Sequence, residues 1–195
     1  MEDFPNEMAD PTPTPNPKGR FSPEVEQALR KAGWFPGRVA SKEQMNKWLV
    51  VEWPVGDKHI QSRLFSAAWH VLREFGGLEI KQSDRGPFTH QNGFSINPLK
   101  VQGKYWGEDG WFLAEWCADG ALFPLGMHDE FAVAITGQGQ IIGAGVTSEW
   151  LIGNTIEEAL ANLIVGNTLE DWDTAQDKFE EASYLLPRWL KHFGV

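Results

Sequence analysis

Three tryptophans, Trp106, Trp111 and Trp116, stand among Glu108, Asp109, Glu115 and Asp119. Ring faces bordered by carboxylates suit sites that stack sugars or grip basic side chains. The same rings also suit a core or its rim. A nucleic-acid platform is disfavoured, because base stacking is normally combined with a positive groove. Of the five histidines, His59, His70, His90, His128 and His192, one lies beside carboxylates, in His128-Asp129-Glu130. Neighbouring residues on a strand or turn point in different directions, so this tripeptide cannot close a metal site by itself. Cys117, between Trp116 and Ala118 with Asp119 nearby, has surroundings that disfavour a thiolate and reads as a small buried hydrophobe.

The sequence contains no P-loop, paired-cysteine zinc site, His-Glu-x-x-His helix or nucleophile elbow. Gly76-Gly77 and Gly137-Gln138-Gly139 read as a helix stop and a hairpin turn, since their neighbours are acidic or apolar. No catalytic set, metal set or cofactor motif emerges.

Charge is the stronger signal. From Tyr105 to Glu181 there are fifteen acidic residues and one basic residue, Lys178, whereas residues 1–104 carry twelve acidic and fourteen basic. Nearly all of the net charge of -10 therefore arises in one region. Such a field repels nucleic acid and anionic lipid and attracts basic surfaces. A solvated acidic face that only keeps the chain soluble is the plainer alternative.

The elements that must position these residues are legible in part. The first eighteen residues, with Pro11, Pro13, Pro15 and Pro17 alternating with small polar residues, read as a disordered leader. Ser22-Pro23-Glu24 supplies an N-cap and a proline at the first helical position, opening a helix to about Ala32 that stops at Gly33. Ser41-Lys42-Glu43-Gln44 fits a capping box, with Met45, Trp48 and Leu49 facing inward. Ile60, Leu64, Ala67, Ala68, Val71, Leu72 and Phe75 predict a third helix, ended by Gly76-Gly77.

After that helix the period changes. Leu78–Lys81 and Gly93–Asn97 alternate as short half-buried strands, and Asp109–Ala118 suits a short helix or a strand. Phe131–Thr136 and Gln140–Ala144 predict a hairpin, and Ser148–Ile152 a further strand. Thr155-Ile156-Glu157-Glu158 is a second capping box, opening a helix through Ile164 that ends at Gly166. Trp172, Ala175, Phe179, Ala182 and Leu186 then form a helical stripe that Pro187 should kink or end. This order of elements points to an α+β domain with an antiparallel or mixed sheet.

The content of 42% hydrophobic residues, with twelve Phe and ten Trp, is ample for a core. A single cysteine and a start without the basic and apolar regions of a signal peptide favour a cytoplasmic location. No segment approaches the ~20 apolar residues that span a bilayer.

Five stretches in order resemble the third subfamily of SUKH immunity proteins: Phe21-Ser22-Pro23-Glu24-Val25, Ala32 to Arg38, Leu72 to Leu78, Leu122 to Gly126, and Thr155 to Gly166. The resemblance implies an α+β fold, a mostly antiparallel sheet with helices packed on it. It also implies a bacterial cytoplasmic protein that binds and neutralises a toxin domain, often a nuclease. It brings no catalytic residue, metal or cofactor. The matched positions, among them Pro23, Gly33, Trp34, Pro36, Gly37, Phe75 and Gly126, look like scaffold. The module then spans residues 20–166, between a leader at 1–19 and a C-terminal helical extension at 167–195 packed on it.

Charge and resemblance converge on one expectation. An acidic inhibitor competes with nucleic acid for a basic nuclease and is steered to it at roughly 10⁸–10⁹ M⁻¹s⁻¹. The expected partner surface combines Trp106, Trp111 and Trp116 with Glu108, Asp109, Glu115, Asp129 and Glu130. The expected partner is a cognate toxin protein, with no nucleic acid and no membrane, and a monomer is favoured. A general protein-interaction or regulatory module of the same fold is one alternative, and a small metal-assisted hydrolase using His128, Asp129 and Glu130 is another.

Overall fold

The computed structural model describes residues 19–55, 58–82, 93–102, 122–128, 131–144 and 149–171. Helix α1 (Pro23–Lys31) begins where Ser22 Oγ accepts the Val25 amide at 3.3 Å, and α2 (Lys42–Lys47) where Ser41 Oγ accepts the Gln44 amide at 3.2 Å. Both caps satisfy donors that a helix start leaves free. Met45 and Trp48 are buried as expected. Leu49 is exposed, because helix α2 ends before it and the chain turns into a strand.

That strand is the main departure from the sequence reading. Strands β1 (Val50–Val55) and β2 (Lys58–Arg63) form an antiparallel hairpin that is a two-stranded sheet of its own. Ile60 lies in β2, opposite Trp53, and Leu64 follows β2, so neither belongs to the third helix. Helix α3 is shorter, Ser66–Phe75, and buries Ala68, Val71, Leu72 and Phe75. Spacings of three and four had joined apolar residues from a hairpin and a helix that follow one another closely. Gly77 ends α3 at φ +83°, a conformation costly for any residue with a Cβ.

Strands β3 (Glu79–Ile80), β4 (Phe94–Ser95), β5 (Leu122–His128), β6 (Phe131–Thr136), β7 (Ile141–Ala144), β8 (Glu149–Gly153) and β9 (Glu170–Asp171) make one sheet. Each strand pairs antiparallel with the next in the chain, so spatial order follows chain order. The expected hairpin is β6–β7. Strand β4 is buried on both faces rather than half-buried, Phe94 and Ser95 each being 4% exposed, while β3 and β5 pair with its two edges. Helix α4 (Leu99–Gln102) follows β4.

Strand β5 runs through Pro124 and Gly126, residues that ordinarily argue against a central strand. Its register with β6 shifts between them, so a bulge accommodates the break in the ladder. Gly126 is also required by close approach, since a methyl there would overlap the Ser95 carbonyl oxygen and sit 2.9 Å from the Asn97 amide.

Helix α5 (Ile156–Val165) closes the core. Thr155 Oγ1 accepts the Glu158 amide at 3.2 Å, while Glu158 Oε2 reaches the Asn154 amide at 2.9 Å, one residue before the N-cap. Gly166 ends the helix at φ +75°. Phe123, Leu125, Val133, Ile135, Ile141 and Ile152 from the sheet join Leu29, Trp34, Leu72, Phe75, Leu160 and Ile164 from the helical side in one cluster. Ala132, Ala134 and Ile142 are also fully buried, so the sheet centre is shielded on both faces. The architecture is α+β with an antiparallel sheet and helices packed on it. Strand β9 carries the sheet past Gly166, and the expected C-terminal helix, from Trp172, lies outside the described residues.

Candidate functional site

All eight expected partner residues, Trp106, Glu108, Asp109, Trp111, Glu115, Trp116, Asp129 and Glu130, lie outside the described residues, as does Cys117. The structure brings His128 into view at the end of β5. It is fully buried, with its ring stacked 4.6 Å from Phe131 and 6.1 Å from Phe94. Gln82 Nε2 donates to the Leu163 carbonyl at 2.7 Å and lies 3.2 Å from His128 Nε2. The amide's second hydrogen then points at the ring, leaving Nε2 as an acceptor. A side chain walled off in this way does core work, which removes it from chemistry at the surface. Among the described residues, no group of three or more His, Cys, Asp or Glu side chains could hold a metal ion.

A second polar assembly reaches the surface. Arg20 precedes α1, Glu74 is near the end of α3, and Glu157 is in the first turn of α5. Arg20 Nη1 meets Glu74 Oε1 at 2.7 Å, and Arg20 Nη2 meets Glu157 Oε1 at 2.6 Å. Its guanidinium carbon stands 5.0 Å from the Phe21 ring centre and 5.4 Å from that of Phe75, an arrangement that adds ring attraction to the ion pairs. Burial works against the charge, but the hydrogen bonds and charges of Glu74 and Glu157 outweigh it and raise the guanidinium pKa above its usual value.

The loop from Gly33 to Ala40 is bound to the same assembly. Gly33 at φ +97° and Gly37 at φ +79° let it turn. The Trp34 ring stacks on Phe75, its indole N–H donating to Glu74 Oε1 at 3.0 Å. Arg38 donates to the carbonyl oxygens of Glu74 and Gly76, the latter at 2.7 Å, and so caps the C-terminal end of α3. Burial lowers the Arg38 pKa, with the Glu74 charge opposing the shift. The Ala40 amide donates to the Arg73 carbonyl at 2.7 Å.

These ties leave Phe35 54% exposed and Val39 47% exposed. Beside them opens a cleft of about 480 Å³, lined among others by Arg20, Arg38, Val39, His70, Arg73 and Glu157. Sequence reading missed this cleft because its residues come from four separate stretches. A prior signal was that Gly37, Arg38, Arg73, Glu74, Phe75 and Glu157 fall within stretches of the resemblance, and the structure gives their neighbourhood scaffold roles: turns at Gly33 and Gly37, stacking of Trp34 on Phe75, and the Arg38 cap on α3.

The fold and its scaffold residues fit the family comparison. The chain matches the SUKH-3 immunity protein family over residues 21–166, well over half of its length. It belongs to that family. No curated protein and no solved structure gives a match. In this SUKH-3 member, the matched span opens at Phe21, packed edge-on against Trp34 at 5.5 Å, and closes at the Gly166 helix stop. Among the described residues, no helix is long and apolar enough to cross a membrane.

Proposed function

We propose that this chain is an immunity protein that binds a cognate bacterial toxin and holds it inactive without turnover of its own. Membership of the SUKH-3 immunity family over residues 21–166 carries this reading. The toxin is a basic protein, of which a nuclease is the favoured class, because fifteen acidic residues against one basic one between 105 and 181 would attract a phosphate-binding surface. The contact surface is the acid- and tryptophan-rich stretch of Trp106, Glu108, Asp109, Trp111, Glu115 and Trp116, with Asp129 and Glu130 beyond strand β5. Carboxylates there would speed the encounter, and the rings would supply buried anchors. The protein acts in the bacterial cytoplasm as a monomer. Residues 20–166 are the binding module, with a leader before it and a helical extension after it.

The experiment is co-expression with the toxin-like domain encoded beside the gene, scoring survival and recovery of a complex. Rescue with a stable one-to-one complex supports immunity by binding. Failure to rescue from a demonstrably toxic neighbour rejects that pairing.

A further inference from the structure

We propose that Gln82 and His128 form a buried pin that fixes the register of the β5–β6 hairpin, and that they thereby position Asp129 and Glu130 for contact with the toxin. The positioning role rests on the toxin-binding reading above, whereas the pin itself does not.

A hairpin whose strands alternate between core and solvent has its register set by that pattern, because a slip of one residue turns every side chain to the other face. Strands β5 and β6 lack this guide. Every residue of Leu122–His128 and of Phe131–Thr136 is buried, so burial alone does not tell one face from the other. The bulge between Pro124 and Gly126 also interrupts the ladder. Pairing on one side of it therefore does not by itself dictate pairing on the other.

His128 supplies the missing constraint. Phe94, His128 and Phe131 stand directly opposite one another on β4, β5 and β6, and the imidazole stacks on both phenyl rings. The Gln82 amide reaches ring Nε2 at 3.2 Å while holding the Leu163 carbonyl of α5 at 2.7 Å, so the pin is tied to a helix outside the hairpin. An apolar residue at 128 would fill the same place without the desolvation cost of a polar ring. What the polar pair adds is a demand for one alignment, the best-attested use of a buried polar group. A slip of β5 by one residue would turn the imidazole to the other face and leave a buried amide hydrogen without its acceptor. A slip of β6 would unstack Phe131.

Only Asp129 and Glu130 separate the paired residues His128 and Phe131, so this register makes a two-residue connection that consists of the two acids. A displaced register would lengthen the connection and change the residues within it. A contact held in one arrangement loses less conformational freedom on binding, and in this way a core pair acts on the toxin contact.

The test measures the free full-length chain and its complex with the toxin separately. In the free wild type at neutral pH, nitrogen-15 NMR of the imidazole should show His128 Nε2 without a hydrogen. His128→Leu and Gln82→Leu should each stay folded by near-UV circular dichroism. Each should nonetheless weaken the cross-strand nuclear Overhauser contacts of the Met127–Ala132 and Gly126–Val133 pairs and speed amide exchange across Phe131–Val133 about tenfold. Toxin binding should weaken about tenfold in both. A lowered melting temperature with cross-strand contacts unchanged is the signature of plain packing and overturns the pin. A hydrogen on Nε2 in the wild type overturns it as well, even where neither variant folds. Lost cross-strand contacts with undiminished toxin binding overturn the positioning role and support the pin. A wild-type chain that binds no toxin overturns the toxin reading and the positioning role, while the spectra of the free chain decide the pin.

Discussion

Arg20 and Glu157 are 137 positions apart, and the guanidinium Nε and Nη2 of the first lie 2.8 and 2.6 Å from Oε1 of the second. The contact fastens the chain entering α1 to the first turn of α5. The same arginine holds Glu74, so one side chain joins three helices that the sequence separates. Glu157 also lies where a negative charge complements the start of a helix.

Arg20→Ala should lower stability by about 1–2 kcal/mol, a figure discounted because the Glu157 side chain is 34% exposed. The melting temperature should fall by about 2–6 °C. Because the Arg20 pKa is raised, its contribution is complete below the unfolded value and is lost only as pH rises through the folded one. Chemical denaturation at pH 7 and pH 9 should therefore give the same wild-type-minus-variant difference. A difference that vanished at pH 9 would contradict the assignment.

Gly126→Ala should destabilise by about 3 kcal/mol, since backbone of the neighbouring β4 segment occupies the space its methyl needs. At Gly137, in the β6–β7 turn, a methyl would meet nothing within 4 Å. Gly137→Ala should therefore be neutral or stabilise by about 0.5 kcal/mol through the unfolded state. Urea unfolding of the two variants compares them directly, and equal midpoints would refute the close approach at Gly126.

The Glu43 carboxyl should titrate below the usual glutamate range. The hydrogen bond from Lys47 at 2.8 Å is the main cause and the lysine charge the second. A depressed group of this kind contributes above its unfolded pKa and loses that contribution as pH falls through the folded one. Carboxyl NMR should show the midpoint returning upward in Lys47→Met. An unmoved midpoint would show that the ion pair is absent in solution.

Asp129→Lys with Glu130→Lys should slow association with the toxin about tenfold at low salt and flatten its salt dependence. Stopped-flow mixing at two ionic strengths measures both quantities. Unchanged rates would exclude these two residues from the acidic contact surface, leaving family membership untouched.

Local chemistry made much of this fold readable in advance. Ser22, Ser41 and Thr155 mark helix starts because a side-chain oxygen three residues upstream satisfies an amide the helix cannot, and Gly166 marks a stop because it adopts the left-handed turn. The β6–β7 hairpin was legible for the same reason: alternation and a glycine-bearing turn are short-range properties. The concentration of acid between 105 and 181 is likewise a property of the chain alone.

Tertiary contact decided the rest. Ile60 and Leu64 satisfy helical spacing, yet antiparallel pairing of β1 with β2 placed Ile60 in a strand and Leu64 after it. Pro124 and Gly126 read as strand breakers until a bulge in the β5–β6 register and the approach of Ser95 explain them. His128 stands beside two acids in the sequence and served only the hydrolase alternative, whereas in the fold β4, β6 and the Gln82 amide enclose it. The cleft at Arg20 was invisible in the same way. Hydrogen-bond caps and turns act within about four residues, while a cleft joining residues 20, 38, 74 and 157 exists only after the helices have packed.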